Sequence, residues 1–425
     1  MNVSMVAVLI SFVLPPAGIA AGYWSIFKGK VNARAIAFCF ALFVAAFAYS
    51  YIPYGSPDLV RYFDYVEQLK GLSLSEALGT SMRGESHLTV FAVMCWVVEK
   101  LGDPHLLPAF TVFVIYFIGI YVTCTVAKDL KVSSQTLAAY IAFILLCPNF
   151  YAITNNIRNV FVFSIVGLAV FRDCYQKKRD IWTVLMYIVP IFIHATALIV
   201  VLLRVVILLT GKYKFISFML ILAVKPLVDL VYSFVGYIPN SSVVALAGRD
   251  AITRAYRYFN DTNSAWGLIV QNSGSQRAMR YLYIALAIII CVNAAVLSRR
   301  KLWKKIEKDV AIVSYSVKIK RIIDFAFTLG LMTIACAPML TPEYWRFVSV
   351  LILFSGPIYF VSKRYVKDKA FRFLNQSIFI FILPCMVLWM REMRTSDLLS
   401  LFLRPFISSP LIIFITDVIN LIIGA

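Results

Sequence analysis

The sequence predicts an all-α, polytopic transmembrane helical bundle, and three observations carry that class. The 425 residues are 61% hydrophobic and 15% charged, with a mean hydropathy of +0.83, whereas a soluble domain is near half apolar and about a quarter charged. The apolar residues gather in runs, at 3–21, 35–48, 110–127, 281–297 and 347–361 among others, and a run of about 18 or more reads as a membrane-spanning helix. Basic residues fall in short stretches between the runs: Arg172, Lys177, Lys178 and Arg179; Arg299, Arg300, Lys301, Lys304, Lys305 and Lys308; Lys363, Arg364, Lys367, Lys369 and Arg372. Short basic loops mark the cytoplasmic side, so much of the net charge of +20 is a topological signal rather than a nucleic-acid footprint.

Taken in order, the first run has no Lys or Arg before Lys28 and reads as a retained helix, not a cleaved signal peptide. Lys28, Lys30 and Arg34 place the next loop inside, so 35–51 leads outward and the polar stretch 55–87 lies outside. The half-length run 88–98 reads as re-entrant or interfacial. That puts Lys128-Asp129-Leu130-Lys131 inside and Asn155-Asn156-Ile157-Arg158 outside; the rival parity puts 55–87 in the cytoplasm. Stretch 181–209 reads as two short arms meeting at an outward break near Pro190 and His194. A span at 215–235 leads to a long outward loop, 236–280, and runs 322–339 and 347–361 flank an outward turn at 341–346. The count is roughly 11–13 membrane segments, short or broken helices included, in one domain, 1–425, with no soluble catalytic domain. The eight cysteines show no metal spacing and read as small buried hydrophobes.

With the cytoplasmic charge set aside, an outward polar set remains: Asp58, Arg61, Tyr62, Asp64, Tyr65, Glu85 and His87; Asn155, Asn156 and Arg158; His194; Arg249, Arg254, Arg257, Tyr258 and Asp261; Glu343, Tyr344 and Arg346. Each has a plain structural reading. Asp58, Arg61 and Asp64 suit a solvated helix face with an internal ion pair. Arg158 and Arg346 could be snorkelling or interfacial anchors, His194 a packing histidine, and Lys225 with Asp229 a self-neutralising pair. Together they describe a task. Arginine presents a fork that fits a diphosphate, carboxylates and histidine can accept a hydroxyl proton, and tyrosine can stack on sugars. Arg without an Asp-rich cage suits a diphosphate leaving group neutralised without metal.

Several segments carry a family likeness. Pro57-Asp58-Leu59-Val60-Arg61-Tyr62-Phe63-Asp64-Tyr65, then Glu85 before an apolar half-helix, Asn156-Ile157-Arg158-Asn159-Val160, Ile193-His194-Ala195-Thr196-Ala197-Leu198 and Arg346-Phe347 resemble, in that order, the short motifs of EpsG-like and Wzy-type bacterial polysaccharide polymerases. Many relatives have Gln where this chain has Asn159, and 236–280 has no clear counterpart. The resemblance implies a GT-C-like, metal-independent glycosyltransferase without cofactor in the bacterial cytoplasmic (inner) membrane, its site facing the periplasm or exterior. Such enzymes join oligosaccharide repeat units carried on undecaprenyl diphosphate, for O-antigen, capsule or exopolysaccharide, alongside a flippase and a chain-length regulator. It assigns Arg158 and Arg346 to the diphosphate, with Arg254 and Arg257 beside them, and Asp58, Glu85, His194 and Glu343 to the base or acceptor. Arg61, Asp64, Tyr65, Asn156, Tyr258 and Tyr344 would line the substrate. The rival readings are a glycan ligase of the same chemistry, a transporter of lipid-linked oligosaccharide and a non-catalytic assembly subunit; internal repeats would favour a transporter, and none is evident.

Overall fold

The computed structural model describes residues 3–29, 32–53, 58–80, 88–237, 243–261, 273–309, 315–339 and 343–393. Among them the chain is helical throughout, with no strand. Among the described residues four helices are long and apolar enough to cross a membrane: α3 (Ala33–Ser50), α7 (Leu106–Asp129), α16 (Gly274–Leu297) and the continuous run Lys369–Glu392. A fifth span results if α19 (Tyr344–Phe354) and α20 (Gly356–Tyr365), bent by 51°, count as one. This is a helical bundle, and among the described residues many apolar runs fold as short or broken helices.

The breaks have local causes. Pro15 and Pro16 cannot donate backbone hydrogen bonds, so the first run is not one helix but a hairpin, α1 (Val3–Val13) and α2 (Pro15–Phe27). The expected span at 215–235 divides into α13 (Lys214–Leu222) and α14 (Val224–Ser233), since Pro226 has no N–H to offer the Leu222 carbonyl. The long loop 236–280 holds an 18-residue helix, α15 (Val243–Asn260), and the first turns of α16. The stretch 181–209 forms the two arms expected: α11 (Ile181–Ile188) with a 3₁₀ turn at Val189–Phe192, then α12 (Ala197–Lys212). The half-length run becomes α6 (Thr89–Lys100).

Ring and glycine contacts give the helix directions. Phe38 meets Phe113 at 5.3 Å and Tyr49 meets His105 at 6.0 Å, so α3 and α7 are antiparallel. Phe163 of α10 (Ile157–Val170) stacks on Phe347 at 5.2 Å, and four residues on, a Cβ at Gly167 would stand 2.5 Å from Phe354. Residue numbers rise together, so α10 and α19 run parallel. Helix α18 (Ser316–Ala335) is antiparallel to α16: the Cys291 thiol reaches the Phe327 carbonyl at 3.7 Å, while Cys336, just past α18, feels the charge of Arg280. Glycine permits these close approaches because it has no Cβ.

All three basic loops meet at one end. Tyr175 donates to Asp129 at 2.7 Å, Arg364 donates to the Leu130 carbonyl at 3.0 Å and to Asp309 at 3.2 Å, and Arg299 lies over Phe371 at 5.3 Å. The Ser134 hydroxyl, at the start of α8 (Ser134–Leu146), donates to the Ile26 carbonyl at 2.8 Å, which brings the end of α2 there too. Helix α17 (Arg300–Lys308) caps this basic end with Trp303 and Ile306 buried and its lysines exposed. The opposite end carries Arg158 and Arg346.

Candidate functional site

At that opposite end Arg158 and Tyr344 each stand at the centre of a polar cluster. The first surrounds Arg158, second residue of α10. The backbone bends at Asn156 (φ −111°, ψ 56°), which ends α9 (Phe150–Asn155) and re-aims the chain. A cation at a helix N-terminus opposes the macrodipole, and aromatic faces compensate. The guanidinium lies 5.4 Å over Tyr62 and 5.1 Å over Phe91, and Nε donates to the Tyr62 hydroxyl at 3.2 Å. Arg158 is only 7% exposed. Tyr62 and Tyr65 are on the buried face of α4 (Asp58–Gln68); Tyr65 stacks on Phe91 and its hydroxyl donates to the Thr80 carbonyl at 2.9 Å, just past α5 (Leu74–Gly79). Asp58 and Arg61 form an ion pair one turn apart, and Arg61 and Asp64 are exposed, which matches the solvated-face reading.

His194 joins this cluster through Thr196. The Thr196 hydroxyl is 3.1 Å from Asn159 Oδ1 and 2.7 Å from His194 Nδ1, and the Thr196 backbone N–H donates to the same Nδ1 at 3.2 Å. One hydroxyl proton cannot serve both neighbours, so the His194 tautomer and the Asn159 amide orientation are linked. Asn156 is half-exposed and donates to the Ala152 carbonyl at 3.4 Å.

The second cluster surrounds Tyr344. Glu343 is buried and ion-paired with Arg346 one turn on, whose guanidinium is 5.8 Å from the Trp345 ring. Tyr344 is 1% exposed, and Arg280 of α16 lies over its ring at 5.6 Å. Arg280 Nε and Nη2 and Arg346 Nε are buried and have no hydrogen-bond partner among the described residues. The Cys336 thiol is within electrostatic reach of Glu343, Arg346 and Arg280 together. Beside them Gln276, one turn before Arg280, donates to Glu392, the last residue of α22 (Ile382–Glu392). Asn149 Nδ2 lies 3.4 Å from the other Glu392 oxygen and 2.9 Å from Met279 Sδ, while Asn149 Oδ1 caps α9.

The parallel run of α10 and α19 sets the arginines of the two clusters at one end of the bundle. Glu85 and His87 fall outside the described residues, as does the Arg254 side chain. Arg257 and Tyr258 lie on α15, which packs on α14 through stacked Tyr232 and Tyr256 at 3.8 Å and through Asn260, bonded to Lys225 at 3.0 Å and Asp229 at 2.9 Å. Lys225 and Asp229 also pair with each other at 2.7 Å. Arg280, Gln276, Asn149 and Glu392 are the members that motif reading passes over. Arg280 and Gln276 look like the polar edge of an apolar run, and only their one-turn spacing marks a shared face.

Chemically, three buried guanidinium nitrogens with no partner among the described residues suit a polyvalent anion, and the guanidinium fork favours phosphate oxygens. Among the described residues no group of three or more His, Cys, Asp or Glu could hold a metal ion. All eight cysteines are free and buried. No family model, curated protein or solved structure matches this chain.

Proposed function

We propose that this chain is a membrane glycosyltransferase of GT-C-like architecture that joins oligosaccharide repeat units carried on undecaprenyl diphosphate. The observation that carries the reading is the pair Arg280 and Arg346 beside Tyr344, where Arg280 Nε and Nη2 and Arg346 Nε are buried with no hydrogen-bond partner among the described residues. Leaving such donors unmet costs about 1–3 kcal/mol each or more when charged, and a diphosphate meets them. The basic end is read as the cytoplasmic face, which puts the two clusters at the periplasmic or outer face of a bacterial cytoplasmic membrane. The order of the short motifs, from the Asp58 segment to Arg346, supports the same assignment.

In the reaction, a sugar hydroxyl of the incoming unit attacks the anomeric carbon of the growing chain and gives its proton to a carboxylate or imidazole acting as general base. The bond from that carbon to the diphosphate oxygen breaks, and its electron pair leaves with undecaprenyl diphosphate. Arg280 and Arg346 hold the added charge. The test uses purified protein in proteoliposomes supplied with lipid-linked repeat units and no nucleotide sugar. Wild type lengthens the glycan. Arg280→Lys and Arg346→Lys keep the charge, lose the fork, and slow elongation roughly a hundredfold to a thousandfold at normal protein level. Wild-type glycan length from both lysine variants would remove the basis of the reading.

A further inference from the structure

We infer that Glu343 is a resident counter-anion on Arg346 that takes up a proton when the lipid-linked diphosphate binds, an inference that rests on the glycosyl-transfer reading above. Glu343 stands directly before α19, 7% exposed, and its Oε2 pairs with Nη1 of Arg346 one turn on. That pairing uses one edge of the guanidinium and leaves Nε, also buried, with no partner among the described residues. Arg280 brings Nε and Nη2 in the same condition from α16, over the ring of Tyr344. The place read as the diphosphate site thus already holds one anion of the protein's own.

Charge decides what happens on binding. Arg280 and Arg346 carry two positive charges and Glu343 one negative. The donor is a diphosphate esterified at both ends, so its two negative charges do not titrate near neutrality. With Glu343 ionised, the occupied site would hold one negative charge in excess, and a buried carboxyl in that position takes a proton instead. A proton from solvent on Glu343 leaves two positive charges facing two negative ones. Arg346 then turns its whole fork to the diphosphate, and the new Glu343 O–H donates to a phosphate oxygen. Burial already holds the Glu343 carboxyl above the ordinary glutamate range, against the pull of Arg346. The charged and titratable groups that face it are Arg346 on its own helix and the Cys336 thiol just past α18, with Arg280 of α16 bearing on the same thiol. Glu392, whose charge reaches Tyr344, pushes in the same direction. Glu343 is therefore protonated when the acceptor attacks and is not the base. The proton returns to solvent when the product leaves.

The experiment uses the full chain in lipid nanodiscs. The probe is undecaprenyl diphosphate capped as its methyl ester, which keeps both ester links, carries a fixed double charge and has no sugar to transfer. Titration calorimetry in two buffers of different ionisation heat counts the protons taken up. At mildly alkaline pH wild type is expected to take up about one proton more per probe bound than Glu343→Gln does. Wild-type affinity falls about tenfold per pH unit through the window in which Glu343 titrates, while that of Glu343→Gln stays level. Glu343→Met, equally uncharged, repeats the loss of uptake should the Gln variant accumulate poorly. Wild-type affinity that is level across pH, or equal uptake by wild type and the uncharged variants, would overturn the role of Glu343 while leaving glycosyl transfer intact. Wild-type protein that binds the probe at no pH would instead fail the underlying reading, and this inference with it.

Discussion

Thr196 Oγ1 lies 3.1 Å from Asn159 Oδ1, and this contact ties the break between α11 and α12 to the first turn of α10. Asn159 is enclosed, at 4% exposure, and Thr196 is half-buried, so the bond matters most when it is removed. Thr196→Val keeps the shape and deletes the hydroxyl, so Asn159 Oδ1 loses that contact while His194 Nδ1 keeps the backbone N–H of residue 196. The expected loss is about 1–3 kcal/mol, read as a lower unfolding temperature in detergent, with Thr196→Ser close to wild type. Equal stability of the Val and Ser variants would show that the contact holds nothing together.

At the basic end Asp180 caps α11 and accepts from Arg172 Nη2 at 2.8 and 2.6 Å and from Thr183 N at 3.0 Å. The Arg172 guanidinium, then the Thr183 donors, hold its carboxyl down at about 2. Because the folded value lies below the ordinary one of about 3.9, the stabilisation is complete at neutral pH and is lost as pH falls from about 4 through about 2. The gap in thermal stability between wild type and Asp180→Asn is expected to be constant near neutrality and to close over that acid window. A gap that stays open in acid would place the stabilisation elsewhere.

Gly167 faces the fully buried ring of Phe354, and a Cβ there would stand 2.5 Å from Cζ. Gly167→Ala is therefore expected to cost about 1–3 kcal/mol through overpacking. Phe354→Leu, which shortens the opposing side chain, should recover part of that loss in the double variant. Simple additivity of the two single effects would mean the ring is free to move aside.

The two ends of the bundle should face opposite compartments. All eight native cysteines are buried, so labelling by a membrane-impermeant maleimide reports mainly the introduced thiol. Lys305→Cys, on exposed α17, is expected to resist labelling in intact cells and react after lysis. Arg277→Cys, exposed on the first turn of α16, is expected to react in intact cells. The reverse pattern would put the arginine clusters in the cytoplasm and remove the assignment of the outer face.

Helical class and the shared end of the basic loops are readable from sequence because both are written in local composition: long apolar runs and short charged gaps. The placing of Arg158 near His194 is readable only as motif order, since the bond that joins them passes through Thr196 and Asn159, 37 residues apart. Breaks at Pro15 and Pro226 override hydropathy, which sums side-chain character and is blind to a missing backbone donor. The Lys214–Asp324 ion pair, at 2.9 Å across 110 residues, has no local signature at all. Arg280 and Glu392 escape for a related reason: each stands at the end of an apolar helix, where a charge is ordinary, and only the folded neighbours distinguish them.

Helix α9 is a ruler. It runs Phe150–Asn155, six residues, or about 9 Å at 1.5 Å per residue. Its capping residue, Asn149, contacts Glu392, and its far end delivers the chain to Arg158. One residue inserted in α9 would swing everything beyond it by about 100° and turn Arg158 off its aromatic seat, while the Glu392 side stayed put. Natural length variation in this segment should accordingly come in near-whole turns of three or four residues, or not at all.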